Sequence, residues 1–388
     1  MKKRLMTIII LIIVIPFIVL GYFVYSIIYE TNDSKNNLNY TSHTTSVTNF
    51  PLWWEVEYSG KINYTRLVNQ QYNEFLILTS LSEINPDFYN AINLSSSPMY
   101  SFIVRSPEMT ADPIYGFPPY IELNSPQDLI YVEVGNISYN VTMNFVLKIF
   151  YNYIEIPFRL AQTDTYFTDF VFTAKPRYET RIPIHLSESL EKNEIANRLT
   201  VGIFKSPEQY TAEDYLLIRE LPYMVLNFEI NYGNRKPLDL DVEPFAESQI
   251  LRNSQFHSLM INADLNMPSN TSGARIPNSK WIVEPGQLIE MAFVTNPSGI
   301  ISEEVEEFLL ISMLDWNQVE MNEKPYLLIE VNESENRMGH HGVFSIRAPY
   351  EAGYYEFKSF MVINPRSLNG RTNFFPLETS FRFTIVVE

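Results

Sequence analysis

The sequence predicts a mainly β protein: antiparallel sandwich modules carried behind one N-terminal membrane-spanning helix. Three observations carry this. An uncharged apolar run opens the chain, period-two alternation fills most of the remainder, and helix signals are scarce.

The opening run, Leu5 to Ile28, is 24 residues long and contains no charge. At 1.5 Å per residue it extends about 36 Å, enough to cross a hydrocarbon core of about 30 Å with some tilt. Lys2, Lys3 and Arg4 precede it, while Glu30 and Asp33 follow. By the positive-inside rule, residues 1–4 are a cytoplasmic tail and the bulk of the chain lies outside, which predicts a single-pass cell-membrane protein. A cleaved signal peptide has an apolar core of about 7–15 residues and a small-residue cleavage site. This run is longer, and the first alanine of the chain is Ala91. Pro16 and Gly21 are compatible with a span, because neighbouring groups re-satisfy the backbone they disturb.

Residues 29–50 are polar and lack apolar periodicity, which predicts a flexible tether. A coil of that length reaches roughly 25 Å.

Beyond Pro51 the pattern is alternation. Val141, Met143, Phe145, Leu147 and Ile149 share one face, and the parity flips around Asn152 to place Ile154, Ile156, Phe158 and Leu160 together. Such a flip predicts a turn or bulge between two strands. The same spacing recurs at Phe170 and Phe172; at Ile182, Ile184 and Leu186; at Leu199, Val201 and Ile203; and at Met224, Leu226, Phe228 and Ile230. It returns at Phe344, Ile346 and Ala348, along Tyr355 to Ile363, and from Phe381 to Val387. Short alternating strands broken by Pro, Gly and Asn pack as facing antiparallel sheets. Two stretches carry helix-start chemistry. Ser206-Pro207-Glu208 with Thr211 to Asp214 predicts a turn or two of helix, and Ser302 to Glu307 suits a helix N-terminus, although the following FLLISML reads equally as a buried strand.

Two internal similarities stand out. Ile103 to Glu108 resembles Ile203 to Glu208, and more loosely the run from Ile182 to Pro207 can be laid on Val343 to Pro365. Duplicated modules would produce both. A boundary is expected at Tyr232 to Pro237, giving one β-sandwich region over 51–234, with a sub-boundary near 116, and another module over 235–388. The expectation is therefore two or three sandwiches.

Ala348-Pro349-Tyr350-Glu351-Ala352-Gly353-Tyr354-Tyr355 leads straight into an alternating strand. This resembles the turn-plus-tyrosine entry to the penultimate strand of the immunoglobulin-like sandwich class, which implies that a tyrosine hydroxyl ties the corner to nearby backbone. The chain has no cysteine, so it lacks the inter-sheet disulfide of antibody domains. The likeness implies a fold and no activity.

The same absence removes thiolate metal sites and a cysteine nucleophile, and in an extracytoplasmic protein it points to a bacterial cell envelope. Net charge is −17, a poor match for nucleic acid. No Gly-x-Ser-x-Gly, His-Glu-x-x-His, P-loop or dinucleotide motif occurs, and no cofactor is implied. His340 and His341 stand between Gly339 and Gly342, which predicts a turn. Asp239, Asp241 and Glu243 begin like a calcium loop, but Pro244 takes the glycine place and Ile250 the place of the bidentate acid, so they form only a weak metal candidate. Trp53 and Trp54 stand at the start of the folded region, where a strand would turn one to the core and the other outward; core packing or a covered edge is the first reading, and an exposed aromatic contact with sugar or the bilayer interface the alternative. Trp281 is the expected core partner of Trp316.

The function these features predict is non-catalytic: scaffolding, adhesion or partner binding in the envelope. The bilayer would be contacted through residues 5–28, and an envelope protein would be the partner. Two alternatives stay open. One is a membrane-tethered cell-wall hydrolase with carboxylates drawn from distant loops, the other a calcium- or carbohydrate-binding module.

Overall fold

The alternating runs become paired strands. The computed structural model describes residues 72–84, 100–109, 120–123, 125, 127–138, 141–186, 197–212, 223–231, 240, 242–245, 249–251, 259–262, 280–297, 304–331, 338–366 and 377–388. The chain divides into two compact units, Met1–Leu52 and Trp53–Glu388, and every described residue belongs to the second. The expected span 5–28, its flanking Lys2, Lys3 and Arg4, and the tether all lie outside the described residues. Among the described residues no helix is long and apolar enough to cross a membrane.

Four sheets make up the described structure. Sheet I runs in the order β2 (Tyr100–Arg105), β4 (Ile130–Asn136), β10 (Tyr178–Leu186), β7 (Phe158–Leu160) and β8 (Tyr166–Phe167), with β1 (Ile77–Ser80) also on β10. Sheet II runs β3 (Tyr120–Glu122), β12 (Tyr223–Asn231), β11 (Asn197–Lys205), β5 (Met143–Tyr151) and β6 (Ile154–Glu155), with β9 (Asp169–Ala174) on β5. Sheet III is β13 (Gln249–Leu251), β20 (Gly339–Arg347), β16 (Leu288–Thr295) and β14 (Met260–Asn262). Sheet IV is β15 (Lys280–Val283), β23 (Phe383–Val387), β21 (Gly353–Ile363), β17 (Glu307–Leu314) and β18 (Asn317–Val319). To it are added β19 (Leu327–Glu330) on β17 and β22 (Leu377–Thr379) on β21. Pairing is antiparallel except for β3 with β12 and β15 with β23.

Sheets I and II face each other over one core, where Val132, Ile182 and Ile184 meet Phe145, Leu147, Ile149 and Val201. Sheets III and IV close over a second, with Met291, Phe293, Phe344 and Ile346 opposite Phe308, Leu310, Phe357 and Met361. Most of these are alternating residues of the sequence, while Val132, Met291 and Phe293 sit on strands that the alternation did not single out; fully burying each contributes about 1.5–3 kcal/mol. The first sandwich draws its strands from 77–231 and the second from 249–387.

The two sandwiches share one topology. In each, the central strand of the inner sheet (β5 or β17) pairs with β11 or β21 on one side, and with β9 or β19 on the other. In each, a parallel strand (β3 or β15) borders the far edge. In each, the outer sheet sets β4 or β16 beside β10 or β20. The looser sequence similarity, Ile182 to Pro207 against Val343 to Pro365, therefore overlays equivalent strands. The closer one does not: Ile103 sits on β2 at the edge of sheet I, and Ile203 on β11 inside sheet II.

Several local expectations are corrected. Ser206 to Gln209 forms a turn, with Gln209 N donating to Ser206 O, and no helix is found up to Ala212, where description stops. Ser206 has φ 51, incompatible with a helix start. Of the two readings left open after Ser302, the strand is the one found: Glu307 opens β17, and FLLISML is buried on both faces. His340 and His341 lie within strand β20 and not in a turn. Glycine is needed at 342 for packing: a Cβ there would stand 2.5 Å from the Phe293 ring. Trp281 packs on the second core while Trp316 belongs to a different cluster, so the two are not partners. The parity flip at Asn152 is a turn, with φ 49 at Asn152 and 68 at Tyr153, but the residues after it do not share one face: Ile154 is exposed on β6 of sheet II, while Phe158 and Leu160 are buried on β7 of sheet I.

Candidate functional site

A third cluster of buried apolar side chains joins the two sandwiches. Val146, Phe150, Tyr153, Val171, Phe204 and Val225 from sheet II meet Leu309, Ile311, Met313, Trp316, Leu328 and Phe360 from sheet IV, and Leu240 fills in from the connection. These are the faces that alternation alone assigns to the outside of each sandwich. Sheets II and IV are thus buried on both faces, and the described sheets stack in four layers. We call this contact the seam.

Equivalent parts meet across the seam. β5 turns into β6 through Asn152-Tyr153, and β17 into β18 through Asp315-Trp316, all four residues with φ between 49 and 70. Each turn thrusts an aromatic ring at the other sandwich. The Tyr153 hydroxyl donates to Pro365 O at 2.9 Å, and Trp316 Nε1 donates to Pro207 O at 3.4 Å. Those prolines follow Asn364 and Ser206, with φ 48 and 51, which are held alike by Glu307 O and Asn144 O at 2.9 Å each. Glu155 and Gln318 are also equivalent, one on each short strand. Glu155 N donates to Gln318 Oε1, and Gln318 N to Glu155 Oε2, both at 2.7 Å. The relation approximates a two-fold axis within one chain.

Charge is distributed unequally about that axis. Glu356 on β21, 1% exposed, is held by Arg382 Nε, by Thr384 Oγ1 and by the backbone N and hydroxyl of Thr211 at 2.8 and 2.7 Å. Arg382 also donates to the carbonyls of Lys205, Ser206 and Gln209, and its guanidinium lies 5.0 Å from the Trp316 ring centroid. One arginine of the second sandwich therefore satisfies a whole turn of the first. Such a buried pair is weak evidence for net stability, but breaking it leaves an uncompensated charge. On the other side, the buried Arg198 donates to Pro365 O at 3.3 Å, and Asn227 donates to the Tyr153 hydroxyl.

Titratable groups in and around the seam feel this burial. It pushes the Tyr153 phenol up to about 12 and pulls the Lys205 ammonium down to about 8, the latter opposed by Glu208. Lys148, fully buried beside Glu155, is also lowered by burial, with the carboxylate opposing. Burial raises Glu307, against the pull of its partner Arg366 at 2.9 Å.

A second group of charges lies on the outer face of sheet I. Glu133 receives Arg105 at 2.8 Å and Arg181 at 2.6 Å, and both guanidiniums lie within 6 Å of the Tyr131 ring centroid, at 5.7 and 5.2 Å. Glu179 is raised by burial and by neighbouring Glu133. These two acids are bracketed by arginines on a sheet face, an arrangement that fixes Glu133 as an ion-pair acceptor.

Of the residues singled out from sequence, Asp239, Asp241, Trp53 and Trp54 lie outside the described residues. Glu243 is exposed, and its carbonyl accepts from Lys324 Nζ at 3.3 Å. Among the described residues no group of three or more His, Cys, Asp or Glu is arranged to hold a metal. His340 is buried against Phe308, and His341 points to the opposite face, lowered by burial. The implied tyrosine corner has its hydrogen bond: Tyr355 hydroxyl donates to Glu351 O at 3.0 Å. Sequence reasoning passed over the seam residues. The signal present was the apolar content of the second faces, Val146 and Phe150 on β5 and the unbroken FLLISML on β17.

No protein-family model matches the chain, and no curated protein is similar to it. Solved structures with some likeness include the CARDB domain of the PF1109 protein in complex with di-metal ions from Pyrococcus furiosus, at 12% identity and TM-score 0.20, covering 38% of this chain and 100% of that one. The C-terminal domain of the Streptococcus agalactiae AgI/II polypeptide BspA has 8% identity and TM-score 0.22, covering 75% and 100%. Red sea bream transglutaminase has 8% identity and TM-score 0.20, covering 79% of this chain, which spans only 34% of that enzyme's length.

Proposed function

We propose that the chain is a membrane-anchored, extracytoplasmic scaffold of the cell envelope, in which residues 5–28 hold the bilayer and the joined sandwiches present surfaces to an envelope protein partner without catalysis. The observation that carries this reading is the seam. Two β-sandwiches that could have hung as separate beads are instead cemented by a full sheet-on-sheet contact and by the Glu356–Arg382 pair. A stiff body behind a short tether holds its outer faces at a set spacing and orientation, which suits adhesion or recruitment. The anchor and orientation rest on the sequence of residues 2–28, and the immunoglobulin-like class on the Tyr355 corner.

The test is topology and release in whole cells. Protease added outside intact cells digests the region beyond the anchor, and deletion of residues 1–28 shifts the chain from the membrane to the soluble fraction with its β circular dichroism intact. Protection of the C-terminal bulk from external protease would overturn the proposal.

A further inference from the structure

Lys148 stands between two acids on one sheet face. In the antiparallel pairing of β5 with β9 it lies opposite Asp169, and directly opposed side chains have Cβ atoms about 4.5–5.5 Å apart. Glu155 on β6 lies opposite Phe150, the next residue along that face, and its Oε1 pairs with the Lys148 ammonium. Val146 and Phe150 flank the lysine within the seam, as Val171 follows Asp169 there. On the other side its partner is Gly202 on β11, which brings no side chain. We propose that Lys148 and Asp169 join in an intramolecular amide, Lys148 Nζ bonded to Asp169 Cγ, with Glu155 relaying a proton and one water released.

The chemistry needs an uncharged amine, a carboxyl opposite it and a group that moves a proton between them. Burial lowers the Lys148 ammonium, opposed by Glu155 and then by Asp169. One proton passes from the ammonium to the Asp169 carboxylate. As the Nζ lone pair attacks Cγ, Glu155 takes a second proton. The C–O bond then breaks, and Glu155 returns that proton to the departing hydroxyl, which leaves as water. The third proton stays on the amide nitrogen, Glu155 ends as it began, and nothing is oxidised or reduced. Glu155 is held for this task, since its N–H donates to Gln318 Oε1 and its Oε2 accepts from Gln318 N, both at 2.7 Å. Asp169 is only half-buried, which gives the water an exit. The second sandwich shows that packing does not call for these charges. Counted from the equivalent turns, Ile311, Gln318 and Tyr326 stand where Lys148, Glu155 and Asp169 do, and Ile311 and Tyr326 are buried in the same seam. Apolar residues there are generally no worse for stability than a buried ion pair. The chain has no cysteine, so covalent reinforcement of its sheets falls to other side chains.

Intact-mass spectrometry of the purified full-length protein is the test, followed by digestion and fragment sequencing. The expected protein is lighter than its sequence by the mass of one water, and its digest contains a branched peptide joining Lys148 to Asp169. Lys148→Met and Asp169→Ala are each expected at the full mass of their own sequences. Glu155→Gln, scored on the folded fraction recovered by size exclusion, is expected at full mass as well, with both joining residues still present. A folded unaltered protein at full mass overturns the proposal, whatever the variants do. So does a water loss that persists in Asp169→Ala, or a branched peptide joining Lys148 to Glu155 instead. An amide that forms unhindered in folded Glu155→Gln overturns the relay.

Discussion

Glu155 and Gln318 occupy equivalent places in the two sandwiches and bond to each other twice, each backbone N–H donating at 2.7 Å to the other's side chain. Such reciprocity arises when two copies of one module meet about an axis. Here the copies are consecutive in one chain, so the seam is an internal counterpart of a homodimer interface.

The charged lock predicts a large cost for cutting one side only. Arg382→Ala takes its arginine partner from the buried Glu356, and is expected to lower unfolding free energy by about 3–5 kcal/mol in urea titrations. Replacing both with apolar residues, Glu356→Leu with Arg382→Met, should cost distinctly less than the single substitution. Equal losses would mean that the pair is not coupled.

Lys205 sets a pH dependence. Its folded value near 8 lies below the ordinary 10.5, so between those limits the unfolded chain binds a proton that the folded chain has released. Stability therefore rises as pH increases from about 8 to about 10.5, and the penalty is fully present below pH 8. Lys205→Met should flatten that part of the stability curve measured by thermal melts at a series of pH values.

Gly342 faces Phe293 and Phe245 in the second core, where a Cβ would meet ring atoms at 2.5, 2.7 and 2.9 Å. Gly342→Ala is expected to destabilise by about 1–3 kcal/mol through overpacking. Pairing it with Phe293→Leu should recover part of the loss in the same denaturation assay.

The tyrosine corner makes a smaller contribution. Tyr355→Phe removes the donor to Glu351 O, and about 0.5–1.5 kcal/mol should follow in chemical denaturation, the usual net worth of one hydrogen bond. A loss above 3 kcal/mol would show that the hydroxyl does more than tie the corner.

Sequence pattern carried the sandwiches but not their junction, and β5 shows why. Met143, Phe145, Leu147 and Ile149 announce a core face, and all are buried there. On the opposite face stand Val146, Lys148 and Phe150. A lysine in that row reads as solvent-facing, yet Lys148 is fully buried beside Glu155. Its partner lies seven residues away across a turn whose residues both have positive φ, a geometry alternation cannot reveal. Trp316 was legible only as a strand end, because the proline carbonyl that accepts its proton lies 109 residues distant. Arg382 was invisible for a similar reason: the three carbonyls it gathers belong to a turn that resembles a helix start.

The central claim is that the two sandwiches form one rigid body. With no native cysteine to interfere, spin labels at the exposed positions Thr168→Cys in the first sandwich and Glu290→Cys in the second give the distance between them directly by pulsed electron resonance. The seam predicts a single narrow distance distribution that broadens when Arg382→Ala is added. A broad distribution in the otherwise unaltered chain, unaffected by Arg382, would contradict the account.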